Sequence, residues 1–439
     1  MIQRKLLFIL MGFVLTVGAM GQQNHFNYTS DAEFSKAMEL YHLEKFGSAR
    51  MAFDDYQKKH AGEASALLSE AAYHEARCAQ QLENDDASPL FERFIVAYPE
   101  SNKVNYAYFH LGEMLQEEKK YRQASKQYEK VSANDLDGKT RYAYWFKRGY
   151  CLFMEEEYDQ ALNWFSKVKD AGTPYEQATN YYYSHIQYIK GKYDVALKGF
   201  LKLEKDPAFE KIVPFYIAQI YYLQKDYDKA IAYATPMLEL GSDNRKADMY
   251  RIVGNAWFAK KEYAKAAPYF EKSIELSSKP SRDDYYNLGF SYYFLKNYEK
   301  AASNLSNVTS ENDLMSQNAY YHLGDCYLKL NDKKRARVAF EAASKDAHDP
   351  DIQEDAMLNY LKLNYETGYA PFNEIINSFL KFIENVPKQH QNRPGVRLLG
   401  QGFPDFKKLQ TSIGNHGTHQ EKRCQRVPCH ATHRLLQRS

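Results

Sequence analysis

The chain has 439 residues, length for about two to four ordinary domains, so the size of a hydrophobic core does not limit it. Its 58 Lys and Arg against 56 Asp and Glu exclude a global field that would recruit nucleic acid or an anionic membrane, so partners must be found by local surface. The unusual figures are 38 Tyr and 25 Phe, more aromatic side chains than one compact core buries, so a Tyr-rich pattern must repeat.

Taken in chain order, the first segment is a processing signal. Arg4 and Lys5 form a basic region, Leu6 to Val17 an apolar one too short for a stable span, and Ala19-Met20-Gly21 a small-x-small cleavage site. Residues 1–21 are therefore expected to be removed and 22–30 to form a short linker. No Cys follows the apolar region, so the exported chain is not expected to be a lipoprotein. The later sequence holds no second run of about 18 apolar residues, so no span is expected after cleavage.

From residue 31 the pattern Tyr-x-x-Ala-x-x-x-aromatic recurs. Its occurrences are Tyr121/Ala124/Tyr128, Tyr158/Ala161/Phe165, Tyr193/Ala196/Phe200, Tyr227/Ala230/Ala234, Tyr263/Ala266/Phe270, Tyr298/Ala301/Leu305 and Lys333/Ala336/Phe340. The spacing is about 35 residues. Nine residues before each anchor stands a small residue: Gly112, Gly149, Ser184, Ala218, Gly254, Gly289 or Gly324. Two closely packed antiparallel helices need a small residue where they cross. The spacing thus predicts helix pairs, with the small residue of the first helix facing the Ala of the second and the later aromatic filling the groove towards the next pair.

The stretches YFHLGEMLQEEKKYRQASKQYEKV and YYNLGFSYYFLKNYEKAASNLSNV resemble the tetratricopeptide repeat family. That resemblance implies an all-α fold, a right-handed superhelical solenoid with a concave inner face. A weaker unit precedes the seven at Ala37, Phe46, Ala49 and Phe53, and another follows at Tyr369, Phe372 and Ile376. Between 62 and 101 only Ala87 and Phe91 stay in phase. The array is expected over 31–386, as nine to ten units. The segment FIVAYPESNKVNYAYFHLGE also resembles tetratricopeptide proteins of bacterial envelopes, such as the periplasmic coordinator of the Tol-Pal system and the helical lipoprotein of the outer-membrane barrel-assembly machine. There Pro99 should stop one helix and Ser101 cap the next.

Residues three before and four after the small one share a face of the first helix, the face that the resemblance turns into the concave groove. One row reads Phe109, Phe146, Tyr181, Phe215, Tyr286 and Tyr321, and the parallel row Phe153, Tyr188, Tyr222, Phe258 and Tyr293. Tyr and Phe suit peptide recognition because they contribute contact area at low entropy cost, although the same rings could pack between neighbouring pairs. In tetratricopeptide proteins that clamp a C-terminal carboxylate, the resemblance implies a cation and an Asn in one unit, an Asn in the next and two cations in the third. Arg251, Asn255 and Asn287 match in register, whereas Asn318 and His322 stand where the two cations should be, so the clamp is half built.

Nothing in the sequence carries catalysis. It has no phosphate-binding Gly-rich loop, no Gly-x-Ser-x-Gly, no His-Glu-x-x-His and no Cys beside a base. Cys78, Cys151 and Cys326 are isolated and read as small buried helix residues. After Pro387 the repeat stops, and 387–439 is enriched in Gly, His, Arg and Cys. Cys424, Cys429, His430 and His433 are poorly spaced for one tetrahedral metal site, so neither a metal nor a cofactor is expected. Back-translation from Asn392, read one base later with permitted wobble bases, restores Asn-Tyr-Lys-x-Ala-x-x-x-Met, and the reading frame is expected to be shifted near 387–392. The tail is then a disordered extension in the wrong frame.

The expected function is an exported, periplasmic or envelope-associated scaffold that binds protein segments in an aromatic-lined groove, without enzyme activity. The alternative is the sensory region of a larger signalling enzyme cut short by the frameshift. Self-association through an uncapped last repeat is a further expectation.

Overall fold

A computed structural model describes residues 32–62, 65–369 and 374. Among them are nineteen α-helices and no strand. The helices divide into two compact units at Val213/Pro214. The first unit holds α1 (Ala32–His42), α2 (Phe46–Lys59), α3 (Ala66–Gln81), α4 (Ala87–Ala97), α5 (Val104–Glu117), α6 (Tyr121–Glu129), α7 (Gly138–Met154), α8 (Tyr158–Phe165), α9 (Glu176–Ile189) and α10 (Tyr193–Leu203). The second begins with α11 (Val213–Leu223) and continues through α12 (Tyr227–Ala234), α13 (Asp243–Ala259), α14 (Tyr263–Leu276), α15 (Arg282–Phe294), α16 (Tyr298–Leu305), α17 (Leu314–Lys329), α18 (Lys333–Lys345) and α19 (Pro350–Thr367). Within each unit consecutive helices pack as pairs, and the pairs stack.

The crossing inside each pair differs in detail from the spacing argument. A Cβ added to Gly112 would lie 2.3 Å from the ring of Tyr128, one on Gly149 2.8 Å from Phe165, and one on Gly254 2.9 Å from Phe270. It is the later aromatic, and not the Ala, that needs the glycine. That ring also reaches the next pair, since Phe165 stacks on Tyr182 at 6.0 Å and Tyr128 meets Tyr144 edge-on. The anchor Ala residues, all fully buried, let the two backbones approach. Where Ser184 replaces the glycine, the small residue moves to the partner helix: a Cβ on Gly199 would lie 1.9 Å from the Ser184 hydroxyl.

Each first helix ends in the same left-handed residue: Glu44, Glu83, Lys119, Glu156, Gly191, Lys225, Lys261, Lys296 and Asn331 all have φ between 54° and 70°. Backbone bonds close the turn. The amide of Lys120 donates to the carbonyl of Leu115 at 2.8 Å and that of Lys119 to Gln116 at 2.9 Å, the double closure that satisfies a helix's last carbonyls. A non-Gly residue there costs on the order of 1 kcal/mol, and packing of the pair offsets it.

Residues 65–101 fold as regularly as the rest, with α3 and α4 packed around Ala76, Phe91 and Phe94. Its link, 82–86, is longer than the 118–120 link that follows, and Ala87, which stays in phase, opens α4. α4 stops before Pro99, but Ser101 does not cap α5: its hydroxyl accepts the Lys103 amide at 3.2 Å, and α5 starts at Val104 without a side-chain cap. Cys78, Cys151 and Cys326 are buried free thiols, each pushed up to about 12 by burial. The leader, the tail from 387 and Phe372 and Ile376 of the last expected unit lie outside the described residues.

Candidate functional site

Successive helix residues turn by about 100°, so positions six, three and two before the small residue, and one and four after it, fall within roughly 120° of arc on the first helix. This face can be followed along each unit separately.

In the first unit the aromatic rows are packed away. Phe146 and Tyr181 stack on Tyr175 and Phe209 at 5.2 Å, Phe153 meets Tyr182 at 5.0 Å, and Tyr188 meets Tyr193 at 6.0 Å; all four are buried. These rings fill the spaces within and between pairs. Phe109 is buried on Tyr128 in the same way.

The charges of this face are equally engaged. Glu113, one residue after Gly112, accepts from Lys147 of the next first helix at 3.1 Å and contacts His110 Nδ1 at 2.7 Å. His110 in turn has Arg77 of α3 at 3.2 Å and the Tyr73 hydroxyl at 3.1 Å. Burial disfavours the Glu113 carboxylate, but Lys147 and His110 outweigh it and hold its pKa well below the ordinary range. Burial likewise opposes the Lys147 ammonium, and Glu113 outweighs it, raising the pKa. Burial, helped by Arg77, drives His110 down to about 4, so its imidazole is neutral at pH 7. The result is a closed ladder of charges across α3, α5 and α7. The spacing of the aromatic rows does not reveal it, because His110 and Lys147 stand two residues before Gly112 and Gly149, and Glu113 one after Gly112, away from the row positions.

The second unit is arranged otherwise. Phe215, Tyr222, Phe258, Tyr286 and Tyr293 are all partly exposed, while Tyr321 is buried against Phe340. Arg245 lies over the Phe215 ring at 5.2 Å. Arg251 is partly exposed, with one nitrogen on Asp248 and another 3.6 Å from Asp284 Oδ2. The structure joins the matched Asn pair, since Asn287 Nδ2 donates to Asn255 Oδ1 at 3.0 Å. His322 lies flat on Tyr293, centroids 5.0 Å apart, and burial drives it down to about 3. It therefore brings no charge to the position where a carboxylate clamp requires one. The Tyr293 hydroxyl donates to the buried Asp325 at 2.7 Å, and burial, with Asp284 alongside, pushes the Asp283 carboxyl up. Asp283, Asn318 and Asp325 also sit on the face by register, six residues before Gly289, six before Gly324 and one after Gly324.

Residues 109–176 and 286–352 match the tetratricopeptide repeat family, one segment in each unit. No curated protein matches this sequence. Among solved structures, YrrB, a tetratricopeptide protein described as having an unusual peptide-binding site, is 22% identical over 44% of this chain and 94% of its own, with a TM-score of 0.37. A tetratricopeptide repeat protein from Parabacteroides merdae is 14% identical over 58% of this chain and 98% of its own, at 0.39. The C-terminal part of a repeat-containing protein from Cytophaga hutchinsonii is 17% identical over 62% and 98%, at 0.38.

Proposed function

We propose that this chain, a tetratricopeptide-type interaction scaffold, is exported and holds segments of partner proteins in the assembly of the cell envelope. The single observation that carries the binding role is the second unit's first-helix face, where Phe215, Tyr222, Phe258, Tyr286 and Tyr293 recur on successive helices and stay partly exposed. Rings that only cemented the stack would be covered, as those of the first unit are. Partly exposed aromatics on a rigid scaffold are what a groove uses to anchor an extended or helical segment.

Export rests on the basic, apolar and small-x-small sequence of residues 1–21. Among the described residues no helix is long and apolar enough to cross a membrane. The envelope role rests on the resemblance of the Tyr-Pro segment before α5.

The test is crosslinking and recovery of partners from native envelope, with Tyr222 and Tyr293 changed to Ala in one protein. Partner recovery should fall about tenfold or more, since truncating two interface anchors removes more than about 1.4 kcal/mol. Unchanged recovery from a correctly folded variant would remove the face from the account, and fractionation of the unaltered protein to the cytoplasm would remove the export.

A further inference from the structure

A buried side-chain acceptor on α15 and another on α17, both first helices of the second unit, lack donors among the described residues. Asp284, five residues before Gly289 and so beside that face, is 1% exposed; its Oδ2 accepts from the amide and hydroxyl of Ser281 at 3.0 and 2.8 Å, but its Oδ1 has no hydrogen-bond partner among the described residues. Asn318, in the next first helix, is 6% exposed, and its Oδ1 also has none among them. Asn318 stands six residues before Gly324, the register that Asp248 holds before Gly254 and Asp283 before Gly289. The same strip of three first helices thus presents two carboxylates and an amide. A buried acceptor left without a donor costs about 1–3 kcal/mol, so this arrangement is unfavourable unless something supplies donors.

Arg251 does not fill that need, because its guanidinium is divided between Asp248 and Asp284 Oδ2. His322 cannot contribute charge either, buried and flat on Tyr293. A ligand carboxylate would bring only further acceptors to acceptors. An ammonium brings three donors and a guanidinium five, with no acceptor. The partly exposed faces of Tyr286 and Phe258 on the same strip also suit a cation.

We propose that the first-helix face of the second unit takes a lysine or arginine side chain of a partner segment, received by the acceptors of Asp283, Asp284 and Asn318. This rests on the binding-face reading above and adds the charge of what is bound. It reverses the polarity of carboxylate capture, although Arg251, Asn255 and Asn287 match that pattern in sequence.

The experiment is fluorescence anisotropy of the full chain with two labelled peptides of matched length and aromatic content. One is a Gly-Lys-Tyr repeat amidated at its C-terminus, and the other a Gly-Glu-Tyr repeat with a free carboxylate. The basic probe should bind at least about tenfold more tightly, with the preference shrinking as salt rises. Asp283→Asn should weaken it severalfold, and Arg251→Gln should strengthen it by removing the competing cation. A tighter acidic probe, or basic-probe affinity that falls with Arg251→Gln and ignores Asp283→Asn, overturns the proposal. The probe comparison on the unaltered chain needs no variant to fold. If it shows no charge preference while Tyr222→Ala and Tyr293→Ala still abolish partner recovery, the charge assignment falls and the face stands. If neither probe binds and recovery is also unchanged, both fall.

Discussion

Glu113 in the first unit and Asp283 in the second stand on corresponding faces of first helices, and their surroundings diverge. Glu113 is clasped by Lys147 and His110, with Arg77 behind. Asp283 lies beside a second carboxylate, Asp284, with the Arg251 guanidinium drawn to Asp248 and Asp284. The rings follow the charges, covered in the first unit and, save Tyr321, partly exposed in the second. The difference teaches that one repeat position can be spent on holding the stack together or kept for recognition. Side chains that satisfy one another stabilise, and those left wanting donors are what a partner can reward.

The largest expected effect separates the two uses directly. Lys147→Met would leave Glu113 as a buried, weakly compensated charge and should cost roughly 3–5 kcal/mol in chemical denaturation. Adding Glu113→Gln should recover much of that loss. Arg251→Gln in the second unit, partly exposed and 3.6 Å from the Asp284 carboxylate, should cost less, about 1 kcal/mol. Equal costs would break the contrast.

Acid offers a second separation. As pH falls below the ordinary histidine value of 6.5, the unfolded chain binds protons that His110 and His185, both held down to about 4 by burial, cannot bind when folded. Stability is full above 6.5 and is lost as pH falls towards 4. Each of the two should contribute a loss of roughly 2 kcal/mol by pH 5. In the second unit His322, held to about 3, acts in the same direction. Hydrogen exchange resolved by peptide should therefore show protection falling further between pH 7 and 5 in the first unit, around His110 and His185, than in the second, around His322. Equal loss would show that the buried imidazoles do not set acid sensitivity.

A smaller effect sharpens the packing side. Gly112→Ala drives a Cβ to within 2.3 Å of a Tyr128 ring that its hydroxyl ties to Gln116 at 3.0 Å, and should cost about 2–3 kcal/mol. Gly254→Ala meets Phe270 at 2.9 Å, a ring with no polar tether, and should cost about 1 kcal/mol. Thermal denaturation of the two variants checks the order.

The helix pairs were legible because at Gly112, Gly149, Gly254 and Gly324 a ring sixteen residues on makes direct contact, and such a contact writes itself into the sequence of each of those repeats. The turns were not. Lys119, Glu156, Lys225, Lys261 and Lys296 hold a left-handed backbone that sequence reasoning expects of Gly, and among the described residues Gly191 and Gly368 advertise it. The exchange of Ser184 for Gly199 was hidden as well, since the compensating residue lies on the other helix. Of the face, the aromatic rows were legible by spacing, but whether a given ring is covered depends on neighbours that spacing does not supply. Phe153 and Tyr222 occupy the same register, yet Phe153 is buried beside Tyr182 and Tyr222 remains partly exposed. The ladder of Arg77, His110, Glu113 and Lys147 was invisible because each residue alone reads as an ordinary helix surface charge.

The central claim is that the second unit's first-helix face engages a partner. Tyr222 replaced by a photo-crosslinking phenylalanine analogue in the full chain, irradiated in native envelope, should give a discrete protein adduct. The same analogue at Val338, on the exposed side of the second helix α18, should give none. Adducts at 338 and none at 222 would contradict the account.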